Sequence, residues 1–180
     1  MNKLLLLFAI AILFITGNQP LSAQEEPVAG KHFFSEFGGP GIIMSANLDS
    51  RFRSNERLGF GYRLGAGFGV GRFDDKLVDG NYEEVTRTVY SFPVGLNYIF
   101  GKSKSASSFE VGGGVSVLSR SMSIYNYGVE KKGNVLGYCT FMYRVTPVHG
   151  GMSFRIGFTP IIGTAGDLFP MGAIGFGYAF

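Results

Sequence analysis

The sequence predicts an all-β chain, a transmembrane antiparallel up-and-down β-barrel of eight strands, and three observations carry that prediction. An apolar run of export type opens the chain. The rest is a series of segments, each about ten residues long, in which apolar and small residues alternate. Glycine is abundant, with 28 residues in 180, and 18 Phe and 9 Tyr stand beside no Trp.

The same composition excludes several other classes. With 16% charged and 46% apolar residues the chain is no disordered polyelectrolyte. Glycine without a three-residue period is not collagen, and so many aromatic rings do not suit a flexible linker. The single cysteine, Cys139, has no intramolecular partner, and two histidines provide no Cys/His zinc set. No cofactor is expected. A net charge of +3 gives no electrostatic case for nucleic acid.

Residues 1–23 read as a secretory signal peptide. Lys3 is the positive head, Leu4 to Ile15 are the apolar stretch, and Leu21-Ser22-Ala23 before Gln24 is a small-residue cleavage site. A membrane anchor would need about 18 to 20 apolar residues, more than this run supplies before Gly17, Asn18 and Pro20. Residues 24–30 are expected to be a periplasmic extension and 31–180 the barrel.

The alternation is clearest from Tyr90 to Phe100. Tyr90, Phe92, Val94, Leu96, Tyr98 and Phe100 share one strand face, while Ser91, Pro93, Gly95, Asn97 and Ile99 share the other. Leu58 to Arg72 places Leu58, Phe60, Tyr62, Leu64, Ala66, Phe68 and Val70 opposite Arg63 and six glycines. Phe109, Val111, Val115 and Val117 oppose Glu110, Gly112, Gly114 and Ser116. In the same way Phe154 and Phe158 oppose Arg155 and Gly157, and Phe176 and Tyr178 oppose Gly175 and Gly177. Phe141 and Tyr143 face away from Thr140, Met142 and Arg144, less cleanly.

A face of glycine with an occasional charge is a poor surface toward water, so a soluble sandwich does not fit. A membrane barrel reverses the two faces. Bulky residues then meet lipid, small ones fill a narrow lumen, and closure satisfies every strand edge. On this reading Phe60, Tyr62, Phe68, Phe92, Leu96, Tyr98, Phe154, Phe158, Phe176 and Tyr178 face lipid. Short turns at 52–56, 101–107 and 146–151 belong on the periplasmic side, and longer loops at 74–86, 124–133 and 161–169 outside. Counting back from Phe180 gives strands near 31–38, 41–51, 57–73, 86–100, 108–122, 134–145, 151–160 and 170–180, with Gly39-Pro40 as a tight outer turn. A single bent strand over 31–51 is the alternative.

Three stretches and the C-terminus resemble a known group. They are Glu36-Phe37-Gly38-Gly39-Pro40-Gly41, Phe92 to Gly101, Arg155-Ile156-Gly157-Phe158-Thr159-Pro160 and the terminal Gly175 to Phe180. The chain is similar to small eight-stranded outer-membrane barrels of the OmpA/OmpX shape, and more narrowly to outer-membrane barrels of Bacteroidota. The resemblance implies the outer membrane of a Gram-negative bacterium, with its lipid and lipopolysaccharide as surroundings. It also implies that the barrel-assembly machinery reads Phe180. It carries no activity.

Glu36, Asp49, Arg51, Arg63, Glu110, Arg144 and Arg155 fall on or near the expected interior. They read as a salt-bridge lattice plugging the lumen, with a proton or ion path as the sharper alternative. A passage along the third-strand glycines, around Gly65 and Gly67, would make a narrow channel or a conduit for small apolar ligands. Hydrolysis has little material, because neither His32 nor His149 is expected beside a Ser and an acid near the outer rim. Cys139 reads as a small apolar residue. Asp74, Asp75, Asp79, Glu83 and Glu84 lack the spacing of a calcium loop and read as a solvated face. Lys102, Lys104, Lys131 and Lys132 read as solubilising charges. The surface partner is not readable, and the expected role is non-enzymatic, structural or surface-interacting.

Overall fold

A computed structural model describes residues 28–76, 82–122, 133–163 and 166–180. The expected signal peptide, Asp79, Lys131 and Lys132 lie outside the described residues.

Eight strands form the wall, and alternation of side chains along each one sets its two faces. They are β1 (Lys31–Gly38), β2 (Met44–Arg51), β3 (Gly59–Lys76), β4 (Tyr82–Gly101), β5 (Ser107–Met122), β6 (Gly133–Val145), β7 (Gly151–Phe158) and β10 (Gly172–Ala179). Two-residue strands β8 (Ile161–Ile162) and β9 (Leu168–Phe169) make a small hairpin that joins β6 above β7. Every neighbour in the wall is antiparallel, and β10 pairs with β1 from Ala179 opposite His32 to Ala173 opposite Gly38. That pairing closes the sheet into a barrel. The alternative of one bent strand over 31–51 is excluded, because β1 and β2 pair with each other from Lys31 opposite Ser50 to Phe37 opposite Met44.

Both ends of the wall, β1 at its start and β10 at its finish, share one end of the barrel with the connections 52–58, 102–106 and 146–150. We call this the termini end and its opposite the loop end. The wall is uneven. β3 and β4 run for 18 and 20 residues, whereas β1, β2, β7 and β10 have 8 each. Pairing continues from Asp74 opposite Glu84 to Lys76 opposite Tyr82, so much of the expected loop 74–86 is strand. Between β3 and β4 the ladder lapses only opposite Phe92 and Pro93 and then resumes in the same register. Proline has no N–H to donate there.

The outward face carries the bulk. Phe60 is 67% exposed, Leu96 60%, Phe176 50% and Tyr178 55%, and Tyr62 and Phe154 stand half-buried on the same face. Rings gather near the termini end, where Phe60 meets Tyr98 edge-on at 4.7 Å and Phe109 meets Tyr143 at 5.4 Å. Cys139 lies half-buried on this outward face. The inward face is small except at a few positions that fill the lumen.

The turn between β1 and β2 differs from the expected outer turn. Gly39, Pro40 and Gly41 form a 3-10 turn that is buried, so the chain folds into the lumen before β2 begins at Met44 rather than at 41. Gly38 and Gly39 take positive φ values of 75° and 66°, which glycine adopts without steric cost. Ile42, at φ 74°, takes the same turn against the preference of a β-branched side chain.

Candidate functional site

Inward positions on six different strands place the seven expected charges in one cluster. Closure makes them a chain of alternating sign. Arg63 pairs with Glu36, Glu36 with Arg155 at 3.6 Å, Arg155 with Glu110 at 3.1 Å, and Glu110 with Arg144 at 2.8 Å. Arg144 then reaches Asp49 at 2.6 Å, and Asp49 pairs with Arg51. All seven side chains are almost wholly buried.

Four guanidiniums face three carboxylates, so the cluster carries one positive charge more than its own anions balance. Neutral groups make further contacts with the guanidiniums. Arg155 and Arg63 sit over the Phe34 ring, with Cζ at 4.4 and 5.0 Å from its centre, where the negative π face attracts cations. Arg51 donates to the Gly59 carbonyl at 2.8 Å and to Asn97 Oδ1 at 2.7 Å, and Arg63 donates to Asn47 Oδ1 at 3.2 Å.

Glycine makes room for these long side chains. A Cβ on Gly175 would lie 2.8 Å from Arg155 Cγ, and one on Gly61 or Gly177 would run into Arg51 or Phe34. The space that the third-strand glycines leave is therefore not a passage. Arg51 fills it at Gly61, Asn47 at Gly65, Ser45 at Gly67 and Ile42 at Gly69.

His32 lies beside a serine at the termini end of the lumen. Its Nε2 contacts Ser153 Oγ and its Nδ1 faces Arg144 Nη2 at 2.9 Å. A hydrolytic His needs a carboxylate on that second nitrogen to hold a positive charge as it forms. Here it has a guanidinium, and its ring is stacked on Phe34 at 4.7 Å in the buried lumen. His149 lies exposed in the 146–150 connection. Among the described residues no group of three or more His, Cys, Asp or Glu is placed to hold a metal ion.

Both ends of the lumen are obstructed. At the termini end the extension crosses the base, with Ala29 N–H donating to the Val148 carbonyl and Arg51 N–H to the Gly30 carbonyl, both at 3.0 Å. Arg57 ties the three connections together there, donating to the carbonyls of Lys102 at 3.2 Å, Ser105 at 2.5 Å and Thr146 at 3.4 Å. Burial, and then the positive charge of Arg144, hold its guanidinium below the ordinary range. A cavity of about 10 Å³ is left beside it.

At the loop end the lumen changes character. Ser116 and Ser91 hydroxyls donate to the carbonyls of Pro40 at 2.9 Å and Gly41 at 3.1 Å and pin the infolded turn. Above it Val89, Leu118, Leu136, Tyr138 and Ile161 form an apolar cluster, against which Ile42, Phe73, Phe169 and Met171 pack.

Sequence reasoning missed Phe34, His32, Asn47, Leu136 and Tyr138 as lumen residues. The signal was present. His32 and Phe34 share the parity of Glu36, Asn47 that of Asp49, and Leu136 and Tyr138 that of Arg144.

No family model matches the chain, and neither does any curated protein. Among solved structures the fold is similar to the N-terminal β-barrel domain of Pseudomonas aeruginosa OprF, at 11% identity and a TM-score of 0.52. The match covers 86% of this chain and 98% of that one. At such identity the likeness concerns the fold alone, and a closer kinship with barrels of Bacteroidota is not carried by it.

Proposed function

We propose that the chain is a non-enzymatic integral barrel of the bacterial outer membrane, closed to solutes and serving as a structural component or as a platform that displays its loop end. The observation that carries this reading is the inversion of the two wall faces. A belt of large apolar residues runs round the outside, and the buried charges lie at the centre. Water would penalise that belt by roughly 25 cal/mol per Å² of apolar surface, whereas hydrocarbon would not. Tyr62, Tyr98, Tyr143 and Tyr178 near the termini end are residues that favour a membrane–water interface. A tilted strand needs about 9 to 11 residues to cross a bilayer. The 8-residue staves are close to that span, and β3 and β4 project well past it, into the polar stretch of Glu83, Glu84, Arg87 and Arg120.

The ion-pair chain and the crossing of the base support a closed lumen over a channel. Reconstitution into a planar bilayer tests this. A closed barrel gives no steady single-channel steps, and steps that vanish on enlarging Gly65 or Gly67 would establish the channel instead. Mass analysis of lipid A after expression tests the hydrolase reading, for which an unchanged acylation pattern is expected. Fractionation of cells with urea-washed membranes tests location, because a soluble protein would leave in the wash.

A further inference from the structure

The loop half of the lumen contains a cavity of about 160 Å³ that the closed-barrel reading does not use. Its floor is the infolded turn, Gly39, Pro40 and Ile42, and its walls are Leu136, Ile161, Phe169 and Met171. Among the described residues no charged side chain lines it. The Ser116 hydroxyl there is already engaged with the Pro40 carbonyl. The turn and the ion-pair chain below it make the cavity a dead end rather than a conduit.

We propose that this cavity is a binding site for an uncharged apolar molecule of about single-ring size. Apolar cavities of about 150 Å³ stay dry and take benzene or xenon, because water in them would find too few hydrogen-bond partners. This one has about that volume, and among the described residues its lining side chains are apolar except Ser116, whose hydroxyl is spent on the Pro40 carbonyl. A charged or strongly polar ligand would have nothing there to replace its hydration.

The absence of tryptophan supplies the test. Phe169→Trp places a unique fluorophore in the cavity wall, and Phe92→Trp places one on the outward belt. The probe is bromobenzene, a heavy-atom quencher of the expected size, added to the full-length mature chain folded in detergent micelles, with benzene as competitor. Quenching at position 169 is expected to saturate and to be reversed by benzene, while quenching at 92 follows simple partition into the micelle. Leu136→Phe or Ile161→Phe in the F169W background should weaken the saturable component about tenfold or more by filling the space. Folding of each variant is checked by heat-modifiable gel mobility, so the two blocking variants guard against failure of either one. Linear quenching at 169 that benzene does not reverse, or saturation unaffected by both fillers in folded protein, overturns the proposal. Neither result depends on whether the barrel conducts.

Discussion

The termini half and the loop half of one lumen solve the same packing problem in opposite ways. Both are lined by alternate positions of the same strands, and both set large side chains against glycine. Near the termini the large side chains are arginines, linked through Glu36, Glu110 and Asp49 into one chain. Near the loops they are Leu136, Tyr138, Leu118 and Ile42, with Tyr138 accommodated by Gly95 and Gly114. Which face a residue takes follows from its parity, but what fills the lumen at each depth follows from what its neighbours can satisfy. A buried charge must be surrounded by countercharge, whereas a buried alkyl group needs only contact. The ionic half therefore tolerates truncation less well than the apolar half.

Four substitutions would break or sharpen that contrast. Glu110→Ala should have the largest effect, because it strands Arg144 and Arg155 together. Removing one partner of a buried pair costs about 3–5 kcal/mol, which urea unfolding in lipid vesicles would register as a lower midpoint. Phe34→Leu removes the ring that faces two guanidiniums and should cost about 2 kcal/mol by the same assay, a loss that Phe34→Tyr would largely avoid. Ser116→Ala in the loop half frees the Pro40 carbonyl and should cost about 1 kcal/mol. Arg53→Ala breaks an exposed pair with Glu56 at 3.5 Å and should leave the midpoint unchanged within measurement. A Ser116→Ala effect as large as that of Glu110→Ala would mean the two halves do not differ.

Much of this arrangement was legible in the sequence. The period of two from Tyr90 to Phe100 fixes which residues look outward, and the alternation within their own strands puts Glu110, Arg144 and Arg155 inside. The hairpin 31–51 follows in the sequence only from counting strands back from Phe180, because local pattern also allows one bent strand, and the pairing of β1 with β2 decides between them. Phe34 and Tyr138 were hidden by the rule that large apolar residues point outward. Their inward places depend on Gly177 and on Gly95, which are far away in sequence and become neighbours only through register. The infolding of Gly39–Gly41 depends likewise on Ser91 and Ser116, on strands that the turn meets only in the closed barrel.

The inverted wall itself is best tested by spin labels placed along β4 in lipid vesicles, with Cys139 first replaced by Ser so that each label is unique. Relaxation by oxygen, which concentrates in hydrocarbon, and by a water-soluble nickel complex is measured at successive positions from 90 to 98. The account predicts strong oxygen and weak nickel effects at 92, 94 and 96, with protection from both at 91, 95 and 97. Nickel access at 92, 94 and 96 equal to that of an exposed loop would contradict it.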